Sequence, residues 1–259
     1  MAWERGVVIK TAEEIEVMRA AGRINALALD TVREMIRPGI TTAELDVAAE
    51  EVIRSHGAIP TFMGYPGPYP YPATLTVSIN EELVHGIPGK RRLKEGDIVS
   101  VDCGSTYNGL IADSAFSVGV GEIKPEAKKL LDVTEKALYE GIKQMRPGNR
   151  IGDISAAIQE YVEKHGYNVP REYSGHGVGR QMHEAPQVPN YGRKGRGMVL
   201  RAGMTLAIEP MVLAGTYRTR VLPDQWTVVS SDGALTAHHE HTIAITDAEP
   251  IILTKNDKK

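Results

Sequence analysis

Two aspartates in one predicted hairpin are the first residues of this chain that could do chemistry. The segment IVSVDCGSTYNGLIADSAFSV (98–118) contains two apolar strands around Asn108-Gly109, a dipeptide typical of two-residue hairpin turns. With that turn, Asp102 and Asp113 become diagonal neighbours on one face of the sheet. Two carboxylates on a partly buried face would repel each other and take up protons, whereas a cation between them removes that cost. Turn capping explains one such aspartate but not two, so the hairpin indicates a metal site.

Two glutamates and their histidine neighbours extend this set. Glu209 ends the apolar segment LRAGMTLAIE (200–209), and Glu240 lies within ALTAHHEHTIAIT (234–246), which we predict to be one further strand. Side chains alternate along a strand, so only the first histidine of that segment shares a face with Glu240. Because adjacent strand residues cannot chelate one ion together, we expect His238, His239 and His241 behind the ligands or at the surface rather than on the metal.

A glycine-rich segment presents two more histidines. His176 and His183 lie in YSGHGVGRQMHEAP (173–186), where alternate residues from 175 to 179 are glycine. A phosphate-binding loop would need a strand–loop–helix context that this segment lacks. Glycines that let the backbone pass close to a ligand, and so present His176, are the better explanation.

The candidate ligands are rich in carboxylates and contain no thiolate. Structural zinc sites prefer cysteine and histidine, whereas an oxygen-rich set with one imidazole suits Mn, Fe, Co or catalytic Zn. Four carboxylates are too many for one divalent ion but neutralise a pair. The sequence thus predicts a two-metal centre built from Asp102, Asp113, Glu209, Glu240 and one or two histidines.

An internal repeat predicts the scaffold that positions these residues. RPGITTAELDVAAEEVIRSHG (37–57) aligns without gaps to RPGNRIGDISAAIQEYVEKHG (146–166), with 7 identities in 21 positions. LKEGDIVSVD (93–102) aligns in the same way to the segment that ends at Glu209, so Asp102 has a counterpart in the second half. Each half would consist of two helices followed by strands.

Periodic apolar patterns place four helices in these halves. We predict them at about 12–36, from the capping box Thr41-x-x-Glu44 to about 56, from about 125 to the MRPG motif, and at about 153–165. The result is an α+β fold with an antiparallel sheet covered by helices and pseudo-twofold halves of roughly 12–118 and 121–246.

The overall composition bounds the class of protein. The chain has 259 residues, 42% of them hydrophobic and 24% charged, with a net charge of −3. This balance gives no basic field for nucleic acid, and no apolar run approaches the length of a membrane span. The single cysteine, Cys103, excludes an internal disulfide and fits a reducing compartment, so we expect a cytoplasmic protein.

With these ligands in the chain order Asp, Asp, His, Glu, Glu, the sequence resembles the methionine aminopeptidases of the pita-bread metallopeptidase family. The short interval between His176 and Glu209 is similar to the type I enzymes, which lack an inserted subdomain. The resemblance covers nearly the whole chain and implies one catalytic domain over 1–259. Its motifs are NEELVHGIP (80–88), VDCGSTYNGLIADSA (101–115), YSGHGVGRQMHEAP (173–186), AIEPM (207–211) and DQWTVVSSDGALTAHHEHTI (224–243).

The resemblance also implies the roles of the candidate ligands. Asp113 and Glu240 would bridge two metal ions, Asp102 would chelate the second, and His176 with Glu209 would complete the first. Each chain would hold two divalent ions, for which Co, Mn, Fe and Zn all suit the donor set.

By the same resemblance, three residues would do the chemistry. His85 would contact the scissile amide, and His183 would contact the developing oxyanion. Glu209 would act as base and then as acid while hydroxide held between the metal ions attacks the carbonyl.

The implied pocket for the first side chain of the substrate consists of Tyr71, Thr76, Met182 and Trp226. Thr76 stands where relatives have Cys or Ser, and Met182 where many have Phe. Tyr65 and Tyr69 compete with Tyr71 for a place in the pocket, because all three lie in the loop FMGYPGPYPYPATL (62–75). Trp226 could equally be part of the core.

The implied function is removal of the N-terminal methionine from nascent proteins and peptides, with a small second residue preferred. A role on nascent chains predicts transient ribosome association, although no residue pattern marks a docking surface. We expect a monomer that recognises neither nucleic acid nor membranes.

Two alternatives stay open. A proline-directed aminopeptidase or prolidase shares the fold and ligands, but such enzymes usually carry a further N-terminal domain, and about ten residues precede the first predicted helix. A non-catalytic pita-bread binding protein would be expected to lose ligands, and all five are present here.

Overall fold

Helix pairs and short strands follow one another twice along the chain. The computed structural model describes residues 6–255. The helices are α1 (Ala12–Met35), α2 (Thr42–Ser55), α3 (Pro125–Ile142) and α4 (Ile151–Lys164). The strands are β1 (Ile59–Pro60), β2 (Leu75–Ile79), β3 (Glu82–Val84), β4 (Ile98–Tyr107), β5 (Leu110–Gly119), β6 (Ser174–Gly177), β7 (Glu184–Pro189), β8 (Thr205–Ile208), β9 (Met211–Leu213), β10 (Thr219–Val221), β11 (Val228–Ser230), β12 (Thr236–His238), β13 (His241–Ala244) and β14 (Ile251–Ile252).

The four predicted helices are all present, and their capping residues explain where they begin. Thr41 and Glu44 form the predicted capping box of α2. Helix α4 begins at Ile151, two residues before the predicted start, because the Asp153 carboxylate accepts a hydrogen bond from Arg150 N (2.7 Å) and so caps from the third helical position. Within residues 6–255, no helix is both long and apolar enough to cross a membrane.

The hairpin of β4 and β5 has the predicted register. Both strands have ten residues, and the two turn residues between them have positive φ angles of 47° and 78°, as a type I′ turn requires. Asp102 pairs with Ala115, and Asp113 pairs with Gly104. The two aspartates are therefore diagonal neighbours on the same face.

Each helix pair covers a sheet of its own. Helices α1 and α2 bury one hydrophobic cluster against β2, β4 and β5, and α3 and α4 bury a second one against the five-stranded sheet β14-β13-β8-β6-β7. The order of helix pair and strands thus recurs, as the repeat predicts. A common origin of the two halves remains a prediction.

The two sheets meet beside Asp113. Ala115 N donates to Glu240 O (3.2 Å), and Glu240 N donates to Ala115 O (2.9 Å). Thr242 Oγ1 accepts from Asp113 N (2.9 Å) and donates to Asp113 O (2.8 Å). The prediction of one strand over 234–246 is therefore wrong: the segment is split into β12 and β13, because Glu240 bonds to β5 at the break between them.

One buried asparagine ties α1 to the hairpin. Asn25 is completely buried, and its amide donates to Cys103 O while its carbonyl oxygen accepts from the Ser114 hydroxyl. Cys103 and Ser114 follow the two aspartates directly in β4 and β5. The position of the aspartates in the sheet therefore depends on this side chain.

Asn25→Leu should lower the free energy of unfolding by about 1–3 kcal/mol, because the Ser114 hydroxyl is left buried without its acceptor. Urea unfolding followed by circular dichroism measures the change. Glu16→Ala, at an exposed position of the same helix, is the control and should shift stability by less than about 0.5 kcal/mol. Equal effects of the two variants would contradict a role for Asn25 in fixing the hairpin.

Candidate active site

One cavity of about 140 Å³ opens between the two sheets. It is small beside the roughly 300–1,000 Å³ of pockets that take drug-sized ligands, and it suits one side chain and an amide. All of the residues predicted for the site line it. Its lining consists of Phe62, Tyr65, Tyr71, Thr76, His85, Asp102, Asp113, His176, Met182, His183, Glu209, Trp226 and Glu240.

The acidic side chains converge at the floor of this cavity. Ligand atoms of Asp113, His176 and Glu240 lie within 4.8 Å of one another. His176 Nε2 is 3.4 Å from Glu209 Oε1 and 3.9 Å from Asp113 Oδ2. Asp102 is the diagonal neighbour of Asp113 across β4 and β5, and the Asp113 carboxyl group is close enough to Asp102 and Glu240 for their charges to raise its pKa. The five predicted ligands therefore form one contiguous group.

The charges of this group are not balanced by protein cations. Burial raises the pKa of Asp102 to about 7. Burial first, and then repulsion by the neighbouring carboxylates, raise the pKa values of Asp113, Glu209 and Glu240 well above their ordinary range. Buried oxygen atoms of Asp102, Asp113 and Glu240 also lack any hydrogen-bond partner. Unpartnered oxygens in a buried acidic group fit divalent metal ions.

His176 presents a neutral imidazole to the acidic group. Its Nδ1–H donates to Gly177 O (2.9 Å), so the Nε2 lone pair faces the carboxylates. Burial lowers its pKa to about 3. A Cβ at Gly175 or Gly177 would collide with the carbonyl oxygens of Ala207 or Ala185, so these glycines allow neighbouring backbone segments to pack closely. A close approach to a ligand stays a prediction.

The three histidines around Glu240 lie outside the ligand group, as the alternation predicts. His238 Nε2 lies behind the group, 3.8 Å from Glu209 and 3.7 Å from Glu240. His239 Nε2 accepts from Ser117 N (3.4 Å), and His241 Nδ1 is 2.9 Å from Thr254 Oγ1. His238 and His239 are buried, so the surface alternative is wrong for these two.

His85 and His183 approach the cavity from two loops. His85 has a φ angle of 62°, a strained backbone for a bulky residue and one that is often found at functional sites. Burial lowers the pKa of His85 to about 4, so its ring is neutral at physiological pH. His183 Nδ1 is 2.6 Å from the Tyr65 hydroxyl, and its ring centroid is 4.3 Å from that of His176.

Aromatic and apolar side chains form the opposite wall. Thr76 pairs with Asp102 across β2 and β4, which places the wall beside the acidic group. The Tyr71 hydroxyl donates to two backbone carbonyls at 3.0 Å, and its ring lies 5.1 Å from Trp226 in a T-shaped contact. Trp226 lines the cavity, where its indole nitrogen has no hydrogen-bond partner.

The comparisons with known proteins agree with this geometry. A sequence profile of metallopeptidase family M24 matches residues 16–247. The chain belongs to this family.

Similar proteins of this M24 family match over almost the whole chain. Methionine aminopeptidase 1 of Bacillus subtilis is 52% identical over 249 residues, which are 96% of this chain and 99% of that protein. A methionine aminopeptidase of Clostridium perfringens is 51% identical over 248 residues (96% of this chain, 98% of that protein). The crystal structure of a methionine aminopeptidase from Thermotoga maritima superposes with a TM-score of 0.94 at 50% identity, covering 96% of this chain and all of that one. The predicted resemblance and the pita-bread fold are confirmed.

Two residues of this M24 site were not among the predicted ones. Phe62 and Tyr65 line the cavity, and the Tyr65 hydroxyl contacts His183. The sequence left open which of Tyr65, Tyr69 and Tyr71 lies in the pocket. A loop has no periodic pattern that indicates which ring turns inward. The structure decides this, since the exposed Tyr69 donates its hydroxyl hydrogen to Asp224 O (2.8 Å).

This M24 centre should release protons when it binds a divalent metal ion. The raised pKa values keep protons on the carboxyl groups of the metal-free protein, whereas the ion binds the ionised groups, so the affinity should rise with pH. His176 is already neutral and releases none. Calorimetric titration with Mn²⁺ at pH 6, in buffers of different ionisation enthalpy, should give roughly one released proton or more per protein.

Asp102→Asn should release fewer protons, because it removes one titrating carboxyl group. Asp247→Asn, at an exposed position, is the matched control and should release as many as the wild type. Binding heats that do not depend on the buffer would contradict the protonated state of the centre.

Proposed function

We propose that this chain removes the N-terminal methionine from nascent proteins and peptides and prefers a small second residue. The observation that carries the proposal is the convergence of five metal-binding side chains on one small, aromatic-walled cavity. Relatives at about 50% identity over the whole chain are methionine aminopeptidases, which supports the same activity here.

Two divalent ions would be held by the acidic group. Asp113 and Glu240 would contribute to both ion sites, Asp102 to one of them, and His176 with Glu209 to the other. The unpartnered buried oxygens of Asp102, Asp113 and Glu240 support this arrangement, and Co, Mn, Fe and Zn all suit the donor set. When bound, such ions polarise a carbonyl group and make a water molecule acidic near neutral pH.

Glu209 would move the proton. Its carboxylate lies 3.4 Å from His176, and burial raises the pKa of this carboxyl group above its ordinary value, which favours uptake of a proton. It would accept a proton from the attacking water at a carboxylate oxygen and pass it to the leaving amine. In this role Glu209 is both a ligand and the acid–base residue.

The two cavity histidines would bind the reacting amide. The Tyr65 hydroxyl can donate to His183 Nδ1, which leaves Nε2–H of the same ring as a donor toward developing negative charge. His85 is neutral and lies across the cavity, where it would contact the scissile amide. Neutral rings suit this task, because they donate hydrogen bonds without adding a full charge.

The wall of the cavity would select the first residue of the substrate. Tyr71, Thr76, Met182 and Trp226 would surround a methionine side chain, together with Phe62 and Tyr65. Thioether sulfur makes favourable contacts with aromatic rings, and this wall is mostly aromatic. A cavity this small would accept one side chain, which supports cleavage of a single terminal residue.

Nascent chains as substrates would place the protein in the cytoplasm, in transient contact with ribosomes. We further propose that it acts as a monomer with one catalytic domain. The acidic net charge of −3 supports the absence of a general affinity for nucleic acid.

The test is release of methionine from the peptide Met-Ala-Ser by protein loaded with Mn²⁺ or Co²⁺. The same protein stripped by a chelator should be inactive and should recover when metal is added back. Peptides of the form X-Pro serve as the second arm. Cleavage of X-Pro in place of Met-Ala-Ser would assign the chain to proline-directed peptidases. If metal-loaded protein cleaves neither peptide, the alternative of a non-catalytic binding protein is favoured.

Glu209→Gln should lower kcat by roughly 10²–10⁴-fold, because the amide cannot transfer the proton. Circular dichroism and metal analysis accompany the assay, so that loss of fold or of metal is separated from loss of chemistry. Glu34→Gln, exposed on α1, is the matched control and should keep wild-type turnover. Near-normal kcat of a metal-loaded Glu209→Gln enzyme would remove Glu209 from the proton transfer.

A further inference from the structure

A lysine is buried next to the active-site loop and has no part in the chemistry described above. The Lys10 side chain is 1% exposed, and its ammonium group forms an ion pair with the Glu184 carboxylate, which is 5% exposed. The segment that carries Lys10 is itself fixed, because Val7 bridges to Ala185 and Lys10 N donates to Gly203 O (2.8 Å). Fully buried lysines are rare in proteins unless they are paired, so this one calls for an explanation.

The Glu184 carboxylate holds a turn together as well as the lysine. Its Oε1 accepts from Arg180 N (2.7 Å) and Gln181 N (3.1 Å), while Oε2 accepts from Lys10. The Glu184 carboxylate therefore binds the ammonium group of Lys10 in the N-terminal segment and two backbone amides of the turn at 179–184. The turn and the N-terminal segment are therefore bonded to each other through this one side chain.

Gly179 leaves the space through which the lysine passes. A Cβ at this position would collide with Lys10 Cε. The Gly179 carbonyl accepts from Ile111 N (2.8 Å), which connects the turn to β5. The Lys10 side chain thus packs directly against the backbone of the turn at Gly179.

The same turn carries two of the cavity residues. Met182 and His183 directly precede Glu184 in the chain, and both line the cavity. Tyr65 contacts the His183 ring from a different loop. Tyr65 can orient the ring, but the backbone that carries the ring is held by the carboxylate of the next residue.

We propose that Lys10 and Glu184 form a positioning pair that holds His183 and Met182 against the substrate cavity. The inference rests on the proposed function for its kinetic consequences, but not for its structural ones. A buried ion pair that loses one partner leaves an uncompensated charge. Whether that charge is neutralised by proton exchange or becomes hydrated, the turn loses its bond to the N-terminal segment. A displacement of about 1 Å at a reacting group costs roughly 100-fold in rate, so the turn controls turnover through His183.

The first experiment compares Lys10→Met with Lys143→Met, which breaks the exposed Lys143–Glu140 pair and serves as the matched control. For metal-loaded, folded enzyme, Lys10→Met should lower kcat for Met-Ala-Ser by roughly 10–100-fold with unchanged metal content, and the control should not. Glu184→Gln keeps the shape of the native residue, removes its charge and replaces one acceptor oxygen with an NH2 donor, so that Lys10 loses its acceptor if the remaining oxygen serves the turn. It should give the same pattern, and it replaces Lys10→Met if that variant does not fold.

The second experiment tests whether Lys10→Met lowers kcat by displacing His183. Lys10→Met is measured again in a His183→Ala background. A positioning role predicts that most of the kcat effect of Lys10→Met disappears there, because the group being positioned is gone. A purely structural role predicts the same factor in both backgrounds, which would overturn the proposal.

A third measurement does not depend on activity. Histidine-labelled, metal-free protein gives an NMR ring signal for His183 that is assigned by its absence in His183→Ala. This signal should shift in Lys10→Met and in Glu184→Gln and stay in place in Lys143→Met. An unshifted signal overturns the proposal even if stability falls. If the wild type releases no methionine, the proposed function fails, and this measurement still decides the positioning.

Discussion

Mutual repulsion within the buried acidic group is the constraint on which this structure depends. Asp102, Asp113, Glu209 and Glu240 share one small volume, and burial raises all of their pKa values. Among the described residues that line the cavity there is no lysine or arginine to balance them. Only protons or cations can offset such a cost, and a protein that keeps four such side chains together gains from what they bind.

The two halves of the fold together bring the four acidic side chains into one volume. Two aspartates come from the hairpin of the first half. In the second half, Glu209 directly follows β8, and Glu240 lies at the break between β12 and β13. Helices cover the outer faces, so each sheet has its own hydrophobic core and the acidic residues can occupy the seam. Strands are stiff supports, and ligands that sit on strands keep the geometry that metal binding needs.

Two histidines and an aromatic wall line the cavity around the acidic group. His85 and His183 line the cavity from two loops. His85 has a positive φ angle, and the His183 ring contacts the Tyr65 hydroxyl. Tyr71 and Trp226 line the same cavity, in T-shaped contact with each other. The acidic group and the aromatic wall therefore face one shared space.

The sequence by itself determined the local features of this protein. The Asn-Gly turn fixed the register of the two aspartates, the capping residues fixed the helices, and the order of acids and histidines carried the family resemblance. The break at Glu240, the inward turn of Tyr65 and the Lys10–Glu184 pair were decided only by the tertiary structure. Each of these depends on contacts between segments far apart in the chain, and no periodic pattern within one segment records which distant partner it will meet.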